Sequence, residues 1–232
     1  MAIRVSTTPI IALDVPTAEE ALEMAEYFGD LCRFYKVGNE LFTAAGPGIV
    51  HALRARRCDV FLDLKFHDIP NTVAGGVRNA AAMGARLVTV HASGGRAMLE
   101  GAVKAAGPNC GVLAVTVLTS LDATGVGEAW GRVDVDVSAE VMRLARLAAD
   151  TGCHGIVCSG QEAGHIRDRF GDRLATLVPG LRASTAATDD QARVVTPEGV
   201  AAAGARYAVI GRMVTGAKDR RAAMEQVSAA LT

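Results

Sequence analysis

The sequence is poor in aromatic residues, in paired cysteines and in net charge, and each shortage narrows the class of protein. Aromatic residues make up 4% of the 232 residues, so small and branched side chains must fill the core. Lys and Arg total 24 against 25 Asp and Glu, which leaves no basic footprint for nucleic acid. The five cysteines form no Cys-x-x-Cys pair, so zinc-ligand spacing is missing and free thiols of a cytoplasmic protein are expected.

Long apolar runs are missing as well. The first residues, MAIRVSTTPIIALDV, contain no long apolar run before their first charges, so we expect no signal peptide. No stretch of uncharged apolar residues reaches the length of a membrane span, so we expect no transmembrane helix. The sequence therefore predicts a protein that binds neither membrane nor nucleic acid.

Half of the residues are hydrophobic, and they fall into two alternating patterns. Short runs rich in Val, Ile and Leu have the length of strands that are buried on both faces. They cover 9–15, 34–39, 60–66, 86–92, 111–119, 155–160, 174–181 and 207–211. Helix-like stretches lie between them: one begins at Thr17, with Glu20 in capping-box position, and the others cover 71–83, 95–106, 138–150, 161–169, 197–203 and 218–230. The alternation of strands and helices predicts a parallel sheet, and eight strand–helix units predict a closed (β/α)8 TIM barrel of one domain, residues 1–232. An open doubly wound sheet is the alternative.

Two segments fit neither pattern and are predicted to be loops. Residues 120–137 follow the fifth predicted strand and carry the single tryptophan, Trp130. Residues 183–191 are small and polar, follow the seventh predicted strand and are expected to be mobile. Long loops inside a compact domain are usually functional or disordered.

Charged residues interrupt the first three predicted strands near their carboxyl ends, where barrel enzymes carry their active sites. Asp14 ends the first strand, Lys36 lies in the second, and Asp63, Lys65 and then Asp68 follow on the third. Because strand side chains alternate, Asp63 and Lys65 share a face, and Lys36 is expected to converge with them in the barrel mouth. Carboxylate neighbours keep a partly buried lysine protonated, which makes it a proton donor rather than a Schiff-base nucleophile. The alternative is an ion-pair network that only stiffens the barrel.

A glycine-containing turn, GRMVTGAKD, follows the eighth predicted strand and leads into a helix. Gly211 allows the backbone to approach a ligand closely, and Arg212 supplies a bidentate phosphate donor. The loops after strands seven and eight are the usual phosphate site of barrels, and the turn lacks the Gly-Lys-Ser/Thr ending of a Walker A loop. The sequence therefore predicts an enzyme that acts on a small phosphorylated substrate without a metal or organic cofactor.

Other polar residues near strand ends have simpler explanations. His91 could act as an acid or base, but a hydrogen-bonded structural histidine is the simpler interpretation. His67 lies within the charged segment and is expected to face a loop. Ser159 lacks the Gly-x-Ser-x-Gly turn of a hydrolase nucleophile.

The segment DLKFHDIPNT (63–72) contains an Asp-x-Lys-x-x-Asp motif and resembles the signature of the orotidine 5′-monophosphate decarboxylase family in its bacterial form. Other matching segments occur in the same order and spacing: ALD on the first strand, KVG on the second, VTVLTS on the fifth, VPGLR on the seventh, DDQARVVTP after it and GR on the eighth. The resemblance therefore covers nearly the whole chain, although the Asp-x-Lys-x-x-Asp motif alone occurs in a wider group of relatives.

The resemblance implies a lyase that converts orotidine 5′-monophosphate (OMP) to UMP and CO2 in de novo pyrimidine biosynthesis, free of metal and cofactor. Lys65 would donate a proton to C6 of the pyrimidine, within a charged array of Lys36, Asp63, Lys65 and Asp68. Substrate contacts would come from Asp14 and Lys36 at the ribose hydroxyls, Asp63 and Thr72 beside the charged array, Thr119 at the pyrimidine edge, Gln191 between pyrimidine and phosphate, and Arg182, Gly211 and Arg212 at the phosphate. Asp68 and Thr72 would reach the site from the partner subunit of a homodimer.

Two other functions remain open. A relative that uses Mg²⁺ and an enediolate intermediate, such as 3-keto-gulonate-phosphate decarboxylase or hexulose-phosphate synthase, is expected to have an acidic metal ligand on the second strand, where this chain has Lys36. A binder of phosphorylated ligands without catalytic activity is expected to have lost part of the charged set, which is complete here.

Overall fold

Eight parallel strands form one closed barrel in the computed structural model of the chain, which describes residues 6–182 and 195–232. The strands are β1 (Thr8–Ala12), β2 (Phe34–Gly38), β3 (Asp59–Phe66), β4 (Leu87–His91), β5 (Gly111–Val115), β6 (Gly155–Val157), β7 (Ala175–Val178) and β8 (Tyr207–Ile210). Each strand pairs with its neighbours in chain order, and β8 closes onto β1. The predicted (β/α)8 barrel is confirmed, and the open doubly wound sheet is wrong.

Helices follow the strands around the outside of the barrel. They are α1 (Ala18–Phe28), α2 (Asn39–Ala45), α3 (Gly48–Ala55), α4 (Pro70–Ala82), α5 (Arg96–Ala106), α6 (Ala123–Trp130), α7 (Val137–Asp150), α8 (Gly160–Phe170), α9 (Pro197–Ala202), α10 (Arg212–Thr215) and α11 (Arg220–Ala230). Thr17 caps α1 as predicted, because its hydroxyl accepts a hydrogen bond from the N–H of Glu20 at 3.2 Å. None of the helices in these ranges combines the length and the apolarity needed to cross a membrane.

Helices α2, α3, α6 and α10 lie where the sequence analysis predicts none. The segment 120–137 is not one long loop, because α6 forms inside it. Asp122 caps the first turn of α6 by accepting a hydrogen bond from the N–H of Gly125 at 2.9 Å, and Gly131 ends the helix in the left-handed conformation with φ +62°. The predicted loop 183–191 lies outside the described residues.

Apolar side chains pack on both faces of the barrel sheet, as its nearly continuous apolar strands require. Outside, the buried side chains of the strands contact those of the helices. Inside, a separate cluster of strand side chains fills the barrel, and the rings of Phe34 and Tyr207 meet edge to face at 6.3 Å. Phe61 and Leu177 belong to this cluster and also line the cavity above it. The barrel is therefore solid below and open to ligand at the carboxyl ends of its strands.

Candidate active site

A cavity of about 390 Å³ opens at the carboxyl ends of the barrel strands, within the size range of small-molecule sites. Eight residues predicted for the site contribute to its lining: Asp14, Lys36, Asp63, Lys65, Thr119, Arg182, Gly211 and Arg212. Apolar residues of the barrel interior form the floor. The fold therefore brings together side chains that are far apart in the sequence, and the cavity has charged walls above an apolar floor.

Lys65 and Asp63 form the ion pair of the β3 wall. The Lys65 Nζ lies 2.9 and 2.8 Å from the two carboxylate oxygens of Asp63. The lysine side chain is 33% exposed and the aspartate side chain 14% exposed, so the pair is partly withdrawn from water. The two side chains share a face, as strand alternation predicts. Charge-assisted hydrogen bonds from one ammonium to both oxygens hold that ammonium in a fixed position.

Lys36 and Asp14 form a second ion pair across β1 and β2. Ala12 and Lys36 are register partners, and Asp14 lies two residues beyond the end of β1, so its carboxylate meets the Lys36 Nζ at 2.6 Å. Lys36 is 12% exposed at its side chain, whereas Asp14 is 58% exposed. Gly38 makes room for this pair, because a Cβ at position 38 would lie 2.9 Å from the Lys36 Nζ.

Thr89 on β4 also contacts the charged pair, although the sequence analysis does not single it out. Its hydroxyl donates to Asp63 at 2.9 Å and accepts from the backbone N–H of Lys65 at 2.9 Å. A signal was available in the sequence, since Thr89 is a polar residue inside the apolar run LVTVH. A buried hydroxyl in such a run needs a hydrogen-bonding partner.

Arginines and a glycine turn at the ends of β7 and β8 also line the cavity. Arg182 follows β7, and its backbone N–H donates to the carbonyl of Val195 at 3.1 Å. Gly211 follows β8 directly, and the four-residue helix α10 begins at Arg212, inside the segment predicted to be a turn. Two guanidinium groups near a glycine backbone suit a phosphate group of a ligand.

Two predicted site residues lie apart from this cavity, and a third falls outside the described residues. Asp68 and Thr72 are exposed and do not line the cavity of their own chain. Asp68 accepts a hydrogen bond from the N–H of Ile69 at 2.6 Å, and Thr72 lies in the first turn of α4. Ile69 between them is 67% exposed. Gln191 falls outside the described residues.

His91 lies at the end of β4, outside the cavity lining, and packs against His67 with ring centroids 5.2 Å apart. Partial burial lowers the pKa of His91, the neighbouring His67 and Lys65 lower it further, and Asp63 opposes the change. The packing of His91 against His67 fits a structural role, and its hydrogen bond stays a prediction. Within residues 6–182 and 195–232, no three or more His, Cys, Asp or Glu side chains cluster in a way that could hold a metal ion.

A parallel barrel with lysine–carboxylate pairs and arginines at the carboxyl ends of its strands belongs to the class of (β/α)8-barrel enzymes that act on small anionic substrates. Comparison with protein families narrows this class. The model of the orotidine 5′-phosphate decarboxylase / HUMPS family matches residues 7–227. The chain therefore belongs to this family.

Individual relatives agree with the family match over nearly the full length. A protein of Halorhodospira halophila is 48% identical over 224 residues, which are 95% of this chain and 94% of the relative. A protein of Anaeromyxobacter sp. is 49% identical over 220 residues, which are 95% of this chain and 96% of the relative. Both are named orotidine 5′-phosphate decarboxylase. The crystal structure of orotidine 5′-phosphate decarboxylase from Lactobacillus acidophilus superimposes with a TM-score of 0.85 at 32% identity, covering 97% of this chain and 99% of that one.

Proposed function

We propose that this chain decarboxylates OMP to UMP and CO2 in de novo pyrimidine biosynthesis, with Lys65 as the proton donor and without a metal or organic cofactor. The observation that carries the proposal is the Lys65 ammonium, held by both oxygens of Asp63 in the wall of a nucleotide-sized cavity. Membership in the decarboxylase family supports the reaction class. The five buried cysteines suit a reducing compartment, so we assign the reaction to the cytoplasm.

The reaction makes an anion that the substrate cannot stabilise by itself. When the bond between C6 and the carboxylate breaks and CO2 leaves, the electron pair stays at C6 in the plane of the ring, outside its π system. Most decarboxylases give such electrons to a cofactor. Here the Lys65 ammonium lies beside the developing charge, transfers one proton from Nζ to C6, and regains a proton from solvent after UMP forms.

The surroundings of the ammonium strengthen this effect. A charge that is already in place stabilises a transition state without the cost of reorienting water, and enzymes lower barriers by about 8–23 kcal/mol in this and related ways. The apolar floor, with Phe61 and Leu177, keeps the local dielectric low. Asp63 binds the ammonium with both carboxylate oxygens and holds it in place until the proton is transferred.

The rest of the substrate binds along the remaining walls. We assign the phosphate to Gly211, Arg212 and Arg182, and the ribose hydroxyls to the Lys36–Asp14 pair. Thr119 lines the same cavity and is assigned to the pyrimidine edge, and the family resemblance adds Gln191. Binding energy from groups far from C6 then holds the pyrimidine against Lys65.

The active form is proposed to be a homodimer in which Asp68 and Thr72 complete the site of the partner subunit. Both residues are exposed in the single chain, and the exposed Ile69 lies between them. A carboxylate that contributes to the charged array from its own chain would instead be expected in the cavity lining. Exposure of a polar pair around a large apolar side chain fits a surface that another subunit covers.

A spectrophotometric assay of OMP in excess EDTA tests the proposal, because loss of the carboxylate changes the absorbance of the pyrimidine. We expect full turnover of OMP to UMP in EDTA, and Lys65→Ala should lower kcat by at least about 1000-fold because it removes both the proton and the fixed charge. Lys104→Ala is the matched control, since Lys104 is an exposed lysine in the last turn of α5, and it should keep normal activity. A requirement for added Mg²⁺, or an active Lys65→Ala enzyme, would contradict the proposal.

A further inference from the structure

Strand β3 departs from regular pairing at the place where it carries the charged pair. Its register with β4 runs from Leu62 opposite Val88 to Phe66 opposite Val90. Asp63, Leu64 and Lys65 therefore lie opposite a single residue of β4, which is Thr89. Bulges of this kind turn side chains to new directions and are frequent beside active sites.

The backbone of Lys65 is strained within this bulge. Its φ is +50°, in the left-handed region that residues other than glycine, asparagine and aspartate rarely adopt. Such a conformation persists only where the surrounding structure holds it in place. Regular pairing cannot do so here, since three residues of β3 face one residue of β4.

Thr89 supplies the missing restraint with one hydroxyl group. The oxygen accepts the N–H of Lys65 at 2.9 Å, and its proton is donated to Asp63 Oδ1 at 2.9 Å. Thr89 is fully buried, so water cannot compete for either bond. The same hydroxyl therefore fixes the backbone that carries the ammonium and the carboxylate that binds it.

We infer that Thr89 is a positioning residue for the decarboxylation, which holds the bulge of residues 63–65 so that the Lys65 ammonium and the Asp63 carboxylate keep their places in the cavity. The inference rests on the proposed function of the site. Thr89 does not line the cavity, so it acts through these two residues and not on the substrate. At this buried position, only a short side chain with a hydroxyl group can accept the hydrogen bond of the Lys65 N–H and donate one to Asp63.

Thr89→Val tests the inference, because valine keeps the shape of threonine and removes the hydroxyl. We expect kcat for OMP to fall by about 10- to 100-fold, which corresponds to about 1.4–2.7 kcal/mol at 1.36 kcal/mol per tenfold change and is the size of a hydrogen bond to a charged group. KM should change by less than about threefold, because the groups assigned to the phosphate lie elsewhere in the cavity. Thr89→Ser keeps the hydroxyl and should retain kcat within about threefold of the wild type.

Thr116→Val is the matched control for the loss of a buried hydroxyl. Thr116 is 3% exposed and donates to the carbonyl of Val157 at 2.8 Å, away from the charged pair. It should lose about as much thermal stability as Thr89→Val but keep kcat within about threefold of the wild type. Equal losses of kcat in the two variants, or a Thr89→Ser enzyme as slow as Thr89→Val, would overturn the inference.

A crystal structure of Thr89→Val separates this inference from the proposed function. We expect Lys65 to leave the left-handed region and its Nζ to lose one of its two contacts with Asp63. An unchanged Lys65 would overturn the positioning role even if the wild type turns over OMP. A displaced Lys65 would support that role even if wild-type turnover of OMP failed, and that failure would count against the proposed function alone.

Discussion

Replacing Gly38 with alanine should impair catalysis while leaving the fold intact. Gly38 has φ −95° and ψ −174°, an extended conformation that alanine adopts without strain. Its added Cβ would lie 2.9 Å from the Lys36 Nζ and 3.5 Å from Asp14 Oδ1. Because ordinary contacts begin near 3.4 Å, the ammonium must retreat by about 0.5 Å. A misplacement of about 1 Å lowers the rate roughly 100-fold, so we expect a shift of about half that size to lower kcat/KM about tenfold.

The assay for Gly38→Ala combines steady-state turnover of OMP with thermal unfolding. The free energy of unfolding should stay within about 1 kcal/mol of the wild type, since a flexible lysine end can yield and alanine restricts the unfolded chain. Gly48→Ala is the control, because a Cβ at that position meets nothing within 4 Å, and it should leave kcat/KM unchanged. A Gly38→Ala enzyme with normal kcat/KM would refute the reasoning, and so would one that fails to fold.

Two further predictions concern the stability of α7 and the shared site. Glu140 is 4% exposed and forms ion pairs with Arg143 and Arg132. These arginines hold the pKa of Glu140 below its ordinary value of 4.5. The ion pairs therefore stabilise the fold fully above about pH 4.5, and this stabilisation is lost as the pH falls through the lowered pKa of the folded state. Glu140→Gln should lower the free energy of unfolding at pH 7 by roughly 1–3 kcal/mol. Chemical denaturation at decreasing pH should show that the difference in stability between wild type and variant becomes smaller below about pH 4.5. A difference that stays constant with pH would contradict this prediction. Mixing inactive Lys65→Ala and Asp68→Ala chains should restore about a quarter of the wild-type activity per chain. Random pairing makes half of the dimers heterodimers, and each heterodimer has one intact site, with Lys65 from one chain and Asp68 from the other. No recovery of activity after verified subunit exchange would exclude the shared site.

The barrel could be predicted from the sequence because its signal is repeated and local. Each strand is buried on both faces, so each appears as a short apolar run, and all eight runs correspond to strands. Helix α6 could not be recognised in the same way. Two of its eight residues are glycines, Gly125 and Gly127, which weaken helical preference, and the cap at Asp122 has no strong pattern after it. Helices α2 and α3 are short and are separated by Gly46 and Pro47.

The charged part of the site was predictable because it follows from two simple regularities. Carboxyl ends of parallel strands meet at one end of a barrel, and strand side chains alternate between faces. These regularities brought Lys36, Asp63 and Lys65 into one cavity. They say nothing about Thr89 or Gly38, whose roles depend on the register between neighbouring strands and on open space near one ammonium. The polar Thr89 inside LVTVH signals a buried hydrogen bond, but its partners, like the space beside Gly38, are defined only once the tertiary structure is formed.

Lys65 shows why local preference and function diverge at this site. Glycine or asparagine would occupy φ +50° at a lower energetic cost than lysine, so stability alone does not explain a lysine there. Neither residue carries an ammonium, and a regular strand would have no bulge opposite Thr89. The chain thus accepts backbone strain at one residue and offsets it with a buried hydroxyl and a carboxylate. Conflicts between local preference and observed conformation are expected at functional residues, and here the conflict falls on the residue to which we assign the proton transfer.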